Sequence, residues 1–282
     1  MNRRRLNFFF SAMTLGATAV SSLILFFLIA VIAWNGVRAL NLSFLLTAAR
    51  NFGAAGGVLY QIIGSLLLIS VAALICFPLA IGTAIYKSEY IKSGRMKRLC
   101  TVLVYGLNGV PSVIFGVFGL IFFVNVLNTG ISWFVGSIIL AIMMLPTVVL
   151  AAYHSINSIP KIYRESAAAL GLDKWQVIVK VLLPQGFSGA ITGLFLGLAR
   201  AVGETAPIMF IATAFSGVNI PGSLREPVTA LPTHILALAQ QATHPQALQN
   251  AWGASFVLIC LVTIFSLLGL YSRLKLKTVS QR

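Results

Sequence analysis

Two charged residues stand where the chain is otherwise almost uncharged. Arg200 and Glu204 lie inside a long apolar stretch, in the run Gly-Leu-Ala-Arg-Ala-Val-Gly-Glu-Thr-Ala-Pro that occupies positions 197–207. Four residues apart on a helix, they share a face and can pair. An Arg at the centre of a bilayer costs roughly 2.5–3.5 kcal/mol on insertion scales, and Leu at both positions would pack better. Such residues mark a substrate or ion pathway; the other reading is an ion pair that fixes helix register. A guanidinium offers a planar fork of donors that fits phosphate, sulfate or carboxylate oxygens two at a time. Glu204 would hold Arg200 when no anion is present and moderate its grip when one is, as a conduit requires. Thr205 adds a hydroxyl donor, and Gly203 and Pro207 permit a helix break beside the pair. Small residues recur every four positions at Gly189, Gly193, Gly197 and Ala201, a seam that lets another helix approach closely.

A second pattern lies between residues 154 and 184. Ser158 is suited to cap a short helix, Pro160 to its first turn and Gly171 to the left-handed position that ends it. Asp173 then caps a second helix, with Gln176 completing a capping box, and Pro184 ends that run. Ala167, Ala168 and Ala169 leave the first helix slim enough to enter a groove on a partner. The other reading of its amphipathic pattern is a helix lying on lipid headgroups. Glu165, near the helix start, suits the dipole whatever the helix touches.

Elsewhere the signals are isolated. Pro111 can kink the third apolar stretch, and Ser112 either faces the pathway or bonds back to its own helix, with Asn108 nearby. His154, His234, His244 and the three cysteines stand singly, which gives no metal-ligand spacing and no disulfide framework. No run reads GxxxxGK[ST], so no P-loop for ATP is expected on this chain.

These groups need a frame, and composition supplies it. Of 282 residues, 59% are hydrophobic and 9% charged, with mean hydropathy +0.95. Soluble domains carry about 25% charged residues, so a water-soluble domain and a disordered chain are excluded. Six apolar stretches reach the roughly 20 residues that a membrane helix needs: 8–34, 60–86, 99–126, 131–153, 187–215 and 252–271. The first follows Arg3, Arg4 and Arg5, yet it is far longer than a signal h-region of about 7–15 residues and is expected as a retained helix.

The net charge of +15 sorts by connection. Sixteen of the twenty basic residues fall in the amino terminus, the second and fourth connections and the tail, while only Arg38, Arg50 and Arg225 fall in the alternate ones. That alternation predicts cytoplasmic termini, and makes the charge a topology signal rather than a nucleic-acid footprint. The outer connection 216–251 is the longest, with Pro221, Pro227, Pro232 and Pro245 marking turns and one short helix near 231–241. The expectation is an all-α membrane protein of six transmembrane helices. Residues 1–59 form the first helix and outer loop, and residues 60–282 form a five-helix core with a cytoplasmic loop at 154–184.

That loop resembles the EAA loop of ABC importer membrane subunits: Glu165-Ser166-Ala167, three residues, Gly171, nine residues, then Val181-Leu-Leu183-Pro184. Ser166 stands where the family usually carries a second Ala. The run 197–207, with Gly109-Val-Pro-Ser-Val-Ile-Phe-Gly116, is similar to the phosphate-specific importer permeases, and to the PstA-type subunit more than to the PstC-type. The resemblance extends from about residue 60 to the end. It implies a type I ABC importer permease fold in the bacterial inner membrane, paired with a PstC-type permease. It also implies an ATPase subunit dimer that binds ATP and Mg, and an external phosphate-binding protein; the permease itself would carry no cofactor and no ATPase site. In that family Arg200 and Glu204 would serve phosphate passage, and Glu165, Ser166, Ala167 and Gly171 would dock the ATPase. Sulfate and molybdate importers share the EAA loop, so the 197–207 run is what distinguishes the anion. Two other functions compete. A self-sufficient anion carrier or channel would have no need of the loop, and an assembly scaffold would leave Arg200 and Glu204 unexplained.

Overall fold

The computed structural model describes residues 3–214, 220–241 and 243–279. Positions 216–219, where the long outer connection is expected to begin, and Arg282 of the basic tail lie outside the described residues. The helices run in the order α1 (Arg3–Ala39), α2 (Leu42–Leu46), α3 (Leu59–Ile85), α4 (Gly94–Gly109), α5 (Ser112–Gly119) and α6 (Trp133–Asn157). They continue as α7 (Lys161–Ala169), α8 (Lys174–Val177), α9 (Leu183–Ala201), α10 (Ala206–Ile211), α11 (Leu231–Gln240) and α12 (Pro245–Val279). A two-stranded antiparallel hairpin, β1 (Ala49–Arg50) and β2 (Ala55–Gly56), joins α2 to α3.

Five helical segments are long and apolar enough to cross a membrane, and a sixth span results when α4 and the helix from Ser112 to Val126 are taken together. Those two halves meet at 90°, so the stretch expected as one helix over 99–126 is a broken span. Pro111 explains the break. It has no N–H to donate, and it drives Val110 out of helical conformation, to φ −71° and ψ 128°.

The fifth span also differs from the expected 187–215. It runs from Lys174 to Ala201, stops, and resumes as the short α10. Pro184 does not end the helix before it. A wide turn at Ile178–Leu182, in which Leu183 N donates to Ile178 O, absorbs the N–H that proline lacks. After the stop at Ala201, Pro207 occupies the first turn of α10, where its missing N–H costs nothing. Pro232 and Pro245 likewise open helices α11 and α12 rather than turns.

Spans α3, α6 and α9 pack side by side along their lengths and make the core. Leu68, Ile139, Leu140, Met144 and Val148 are fully or almost fully buried there. In lipid such packing rests on close van der Waals contact rather than on exclusion of water. The small-residue seam of α9 supplies it: Gly189 faces Ser155, Gly193 faces Ala151 and Val148, and Gly197 faces Met144, all on α6. At one end of the bundle, α2, α11 and the start of α12 close over it through Phe44, Val58, Leu231 and Ala254, and Leu231 N donates to Ser65 Oγ at 2.8 Å.

Helix α1 stands apart. Its last turns touch the bundle, with Gly36 against Phe256 and Ala39 against Gly253, and its described side chains from residue 9 to residue 30 are all exposed.

Candidate functional site

Arg200 occupies the last turn of α9, and Glu204 lies beyond the helix end, in the break before α10. The two pair across that break, Arg200 Nε to Glu204 Oε1 at 3.5 Å, rather than along a continuous helical face. A shorter contact holds the same guanidinium: Nη1 donates to Oδ1 of Asn108, in the last turn of α4, at 2.9 Å. The Arg200 side chain is 43% exposed and that of Glu204 15%. The positive group is therefore accessible while its counter-charge is largely buried.

The two broken spans meet at this place. Gly116 of α5 lies against α10, where an added Cβ would stand 2.9 Å from Pro207 Cα and 3.2 Å from Ala206 O. Only glycine allows these two short helices to approach so closely. Ser112 is the first residue of α5 and Thr205 caps α10, so both stand at the starts of the resumed helices, half-buried. Neither hydroxyl makes a hydrogen bond among the described residues, and Ser112 has no preceding turn of α5 to bond back to. The structure thus joins Arg200 to Glu204, adds Asn108, and places Ser112 and Thr205 at the same junction without contact to the guanidinium. Broken helices leave backbone groups without helical partners, which is tolerated only where they line a cavity or are buried in protein.

The loop after α6 has the expected shape with two differences. Ser158 ends α6 instead of capping α7; its hydroxyl donates to Ser155 O, and Pro160 holds the cap position of α7. Gly171 adopts φ +81°, and the bonds Gly171 N to Ala168 O and Leu172 N to Ala167 O close the helix in a Schellman turn. Asp173 and Gln176 form the capping box, at 2.7 and 3.1 Å. Glu165, Ser166 and Gly171 are exposed, but Ala167 is buried beside Val177, Ile178 and Leu182 and faces the bundle. Exposed apolar side chains flank the loop helices at Ile162, Tyr163, Leu170 and Trp175.

A second ion pair sits beneath this loop. Arg164 Nη2 lies 3.1 Å from Glu89 Oε1, joining α7 to the end of α3 across 75 residues. The available signal for it was composition: Glu89 is the one acidic residue among the basic ones of the second connection.

Spans broken at a charged junction are the architecture of a membrane transport protein. Residues 76–277 match the family described as binding-protein-dependent transport system inner membrane component, and this chain belongs to it. It is therefore a transport subunit and a multi-pass protein of the inner membrane. Among curated relatives, it is 34% identical over 215 residues to the phosphate transport system permease protein PstA 1 of Mycobacterium tuberculosis, covering 76% of this chain and 69% of the relative. It is 33% identical to the PstA permease of Pasteurella multocida, covering 83% and 81%, and 30% identical to the probable ABC transporter permease protein YqgI of Bacillus subtilis, covering 88% of each. The same fold occurs in a bacterial alginate ABC transporter (TM-score 0.66, 17% identity, 95% of this chain and 93% of that one). It also occurs in the MetNI methionine ABC transporter (TM-score 0.59, 18% identity, 78% and 94%). The type I ABC importer permease fold is thereby assigned.

Proposed function

We propose that this chain is the PstA-type subunit of an ATP-driven phosphate importer and lines half of its translocation pathway. The observation that carries the reading is Arg200, held at the junction of two broken helices by one neutral amide and one carboxylate, with its side chain 43% exposed. The relatives named as phosphate transport permeases support phosphate as the anion. The Nε contact to Glu204 is longer than a hydrogen bond, so an oxyanion can take the guanidinium fork without first breaking a bidentate pair. Glu204 keeps the site neutral overall, which limits how tightly phosphate is held and lets it leave. Ser112 and Thr205 add hydroxyl donors from the starts of α5 and α10.

In this reading an external phosphate-binding protein delivers the anion, and a PstC-type permease supplies the facing half of the path. The exposed length of α1 suits that second subunit and the surrounding lipid. Two ATPase subunits bind ATP and Mg on the cytoplasmic side, where the sixteen basic residues place both termini. They dock against α7 and the turn after it, with Glu165, Ser166 and Gly171 exposed to them and Ala167 fixing α7 to its own bundle.

The test is uptake by the complex reconstituted in liposomes with its ATPase and binding protein. Labelled phosphate should enter in preference to sulfate and molybdate, and Arg200→Gln should abolish entry while the complex still assembles. Normal uptake by Arg200→Gln would remove Arg200 from the path.

A further inference from the structure

Cations from two helices meet on a single turn at the end of α3, and a third cation of that turn reaches α6. That turn, Tyr86–Tyr90, is wide, with Ile91 N donating to Tyr86 O. Glu89 within it accepts from Arg164 of α7 through both Nε and Nη2, at 3.2 and 3.1 Å. Tyr90 within it lies under Lys174 Nζ of α8 at 3.9 Å. Lys87, also within it and 3% exposed, sits over the ring of Tyr153 of α6 at 4.1 Å. Arg164 makes two further bonds, Nη1 to Ile159 O at 2.8 Å and Nη2 to Ile156 O at 3.1 Å, which gather the frayed end of α6. The side chains of α7 turn inward only at Arg164 and Ala167, one turn apart on one face; the rest are exposed. Ala167 gives a contact that can slide, whereas a forked guanidinium on a carboxylate and two carbonyls fixes direction as well as distance.

We propose that Arg164 and Glu89 form the strut that carries displacement of α7 into span α3, which makes Arg164 a positioning residue for coupling ATP hydrolysis to transport. The proposal rests on the reading of the loop as the ATPase dock. Lys174 on Tyr90 ties the second loop helix to the same turn, so α7 and α8 deliver their motion to one place. From there α3 packs along α6 and α6 along α9, whose last turn holds Arg200. A push on the loop thus reaches the junction of the broken helices through rigid, continuous packing.

The experiment uses the whole complex in liposomes and reads two quantities: phosphate imported per ATP hydrolysed, and ATPase retained per permease. Glu89→Ala should lower the phosphate-to-ATP ratio at least about fivefold, the lower end of usual coupling strengths, with ATPase retained and hydrolysing. Glu89→Gln keeps an oxygen acceptor for Arg164 and should lower the ratio less, and Arg164→Lys, which keeps charge without the fork, should fall between them. An unchanged ratio in Glu89→Ala overturns the strut. Loss of ATPase from that variant also overturns it, because the pair would then belong to the docking surface. Should Glu89→Ala fail to reach the membrane, the Gln and Lys variants carry the same test. Failure of the underlying loop reading has a separate signature: a Glu165→Lys variant that retains its ATPase in full.

Discussion

Arg200 and Asn108 lie 92 residues apart in the chain, and Nη1 of the first donates to Oδ1 of the second at 2.9 Å. Arginine accepts no hydrogen bond, so the amide must present its oxygen and turn its NH2 group away. Asn108 is exposed, and its NH2 group makes no hydrogen bond among the described residues. The contact also ties the end of α4 to the end of α9, one broken span to the other.

Replacing that neutral amide by a carboxylate should close the site to anions. Asn108→Asp would set a second negative charge beside Arg200 and make the junction net negative, lowering phosphate uptake by more than about tenfold, one pK-unit equivalent of interaction. Asn108→Ala should cost less, since it removes a holder without adding charge. Uptake in proteoliposomes measures both, and equal uptake by Asn108→Asp and the unaltered complex would contradict the assignment.

The seam between α9 and α6 predicts a steric outcome. A Cβ on Gly193 would meet Val148 Cα at 3.3 Å and crowd Ala151, so Gly193→Leu should cost about 1–3 kcal/mol or separate the two spans. Gly82 in α3 has open space around it, and Gly82→Leu serves as the control. Thermal unfolding of the purified complex should show a lower Tm for the first and little change for the second.

Gly171 needs its left-handed backbone to close α7. Gly171→Val should introduce roughly 1–2 kcal/mol of strain, more for a branched side chain, and open the Schellman turn. ATPase recovered in a pull-down should fall severalfold, while the α3–α6–α9 core keeps its stability.

His234 makes the cover formed by α2, α11 and the start of α12 sensitive to acid. Burial against Gly53 and Leu238 pushes its pKa down to about 4, and its Nε2 has no partner among the described residues. Between pH 6.5 and about 4 the unfolded segment binds a proton that the folded one does not, so stability is complete above 6.5 and declines as pH falls. At pH 5 the loss should be about 2 kcal/mol. The Tm of the complex at pH 5 and pH 7.5 checks this, and His234→Leu should remove the difference.

Local signals in the chain were legible, and contacts between distant segments were not. Apolar length gave the number of spans but not the ends of the fifth, and the four-residue spacing of Arg200 and Glu204 foretold that the two would pair. Their contact nevertheless crosses a helix break that the uninterrupted apolarity of 187–215 concealed. Pro111 announced a kink, but no residue states that a kink will reach 90° or bring Asn108 beneath Arg200. Gly171 and the Asp173–Gln176 box were readable because their bonds span only a few residues, whereas Glu89 and Arg164 meet through tertiary packing alone. Periodicity showed that α7 has two faces without saying which one holds Ala167. The wide turn ahead of Pro184 has no sequence signature, so proline there reads as a stop.

The attachment of α1 by one end has a consequence for the host bilayer. Its apolar segment, Phe9–Ala39, has 31 residues and would extend about 46 Å, against a hydrocarbon thickness of about 30 Å. A helix too long for its membrane must tilt, bend or thicken the lipid around it. Because its described contacts with the bundle lie near Gly36 and Ala39, α1 can change tilt about that end while the core keeps its angle. Adjustment to thin or thick membranes then falls on a span that carries none of the junction residues.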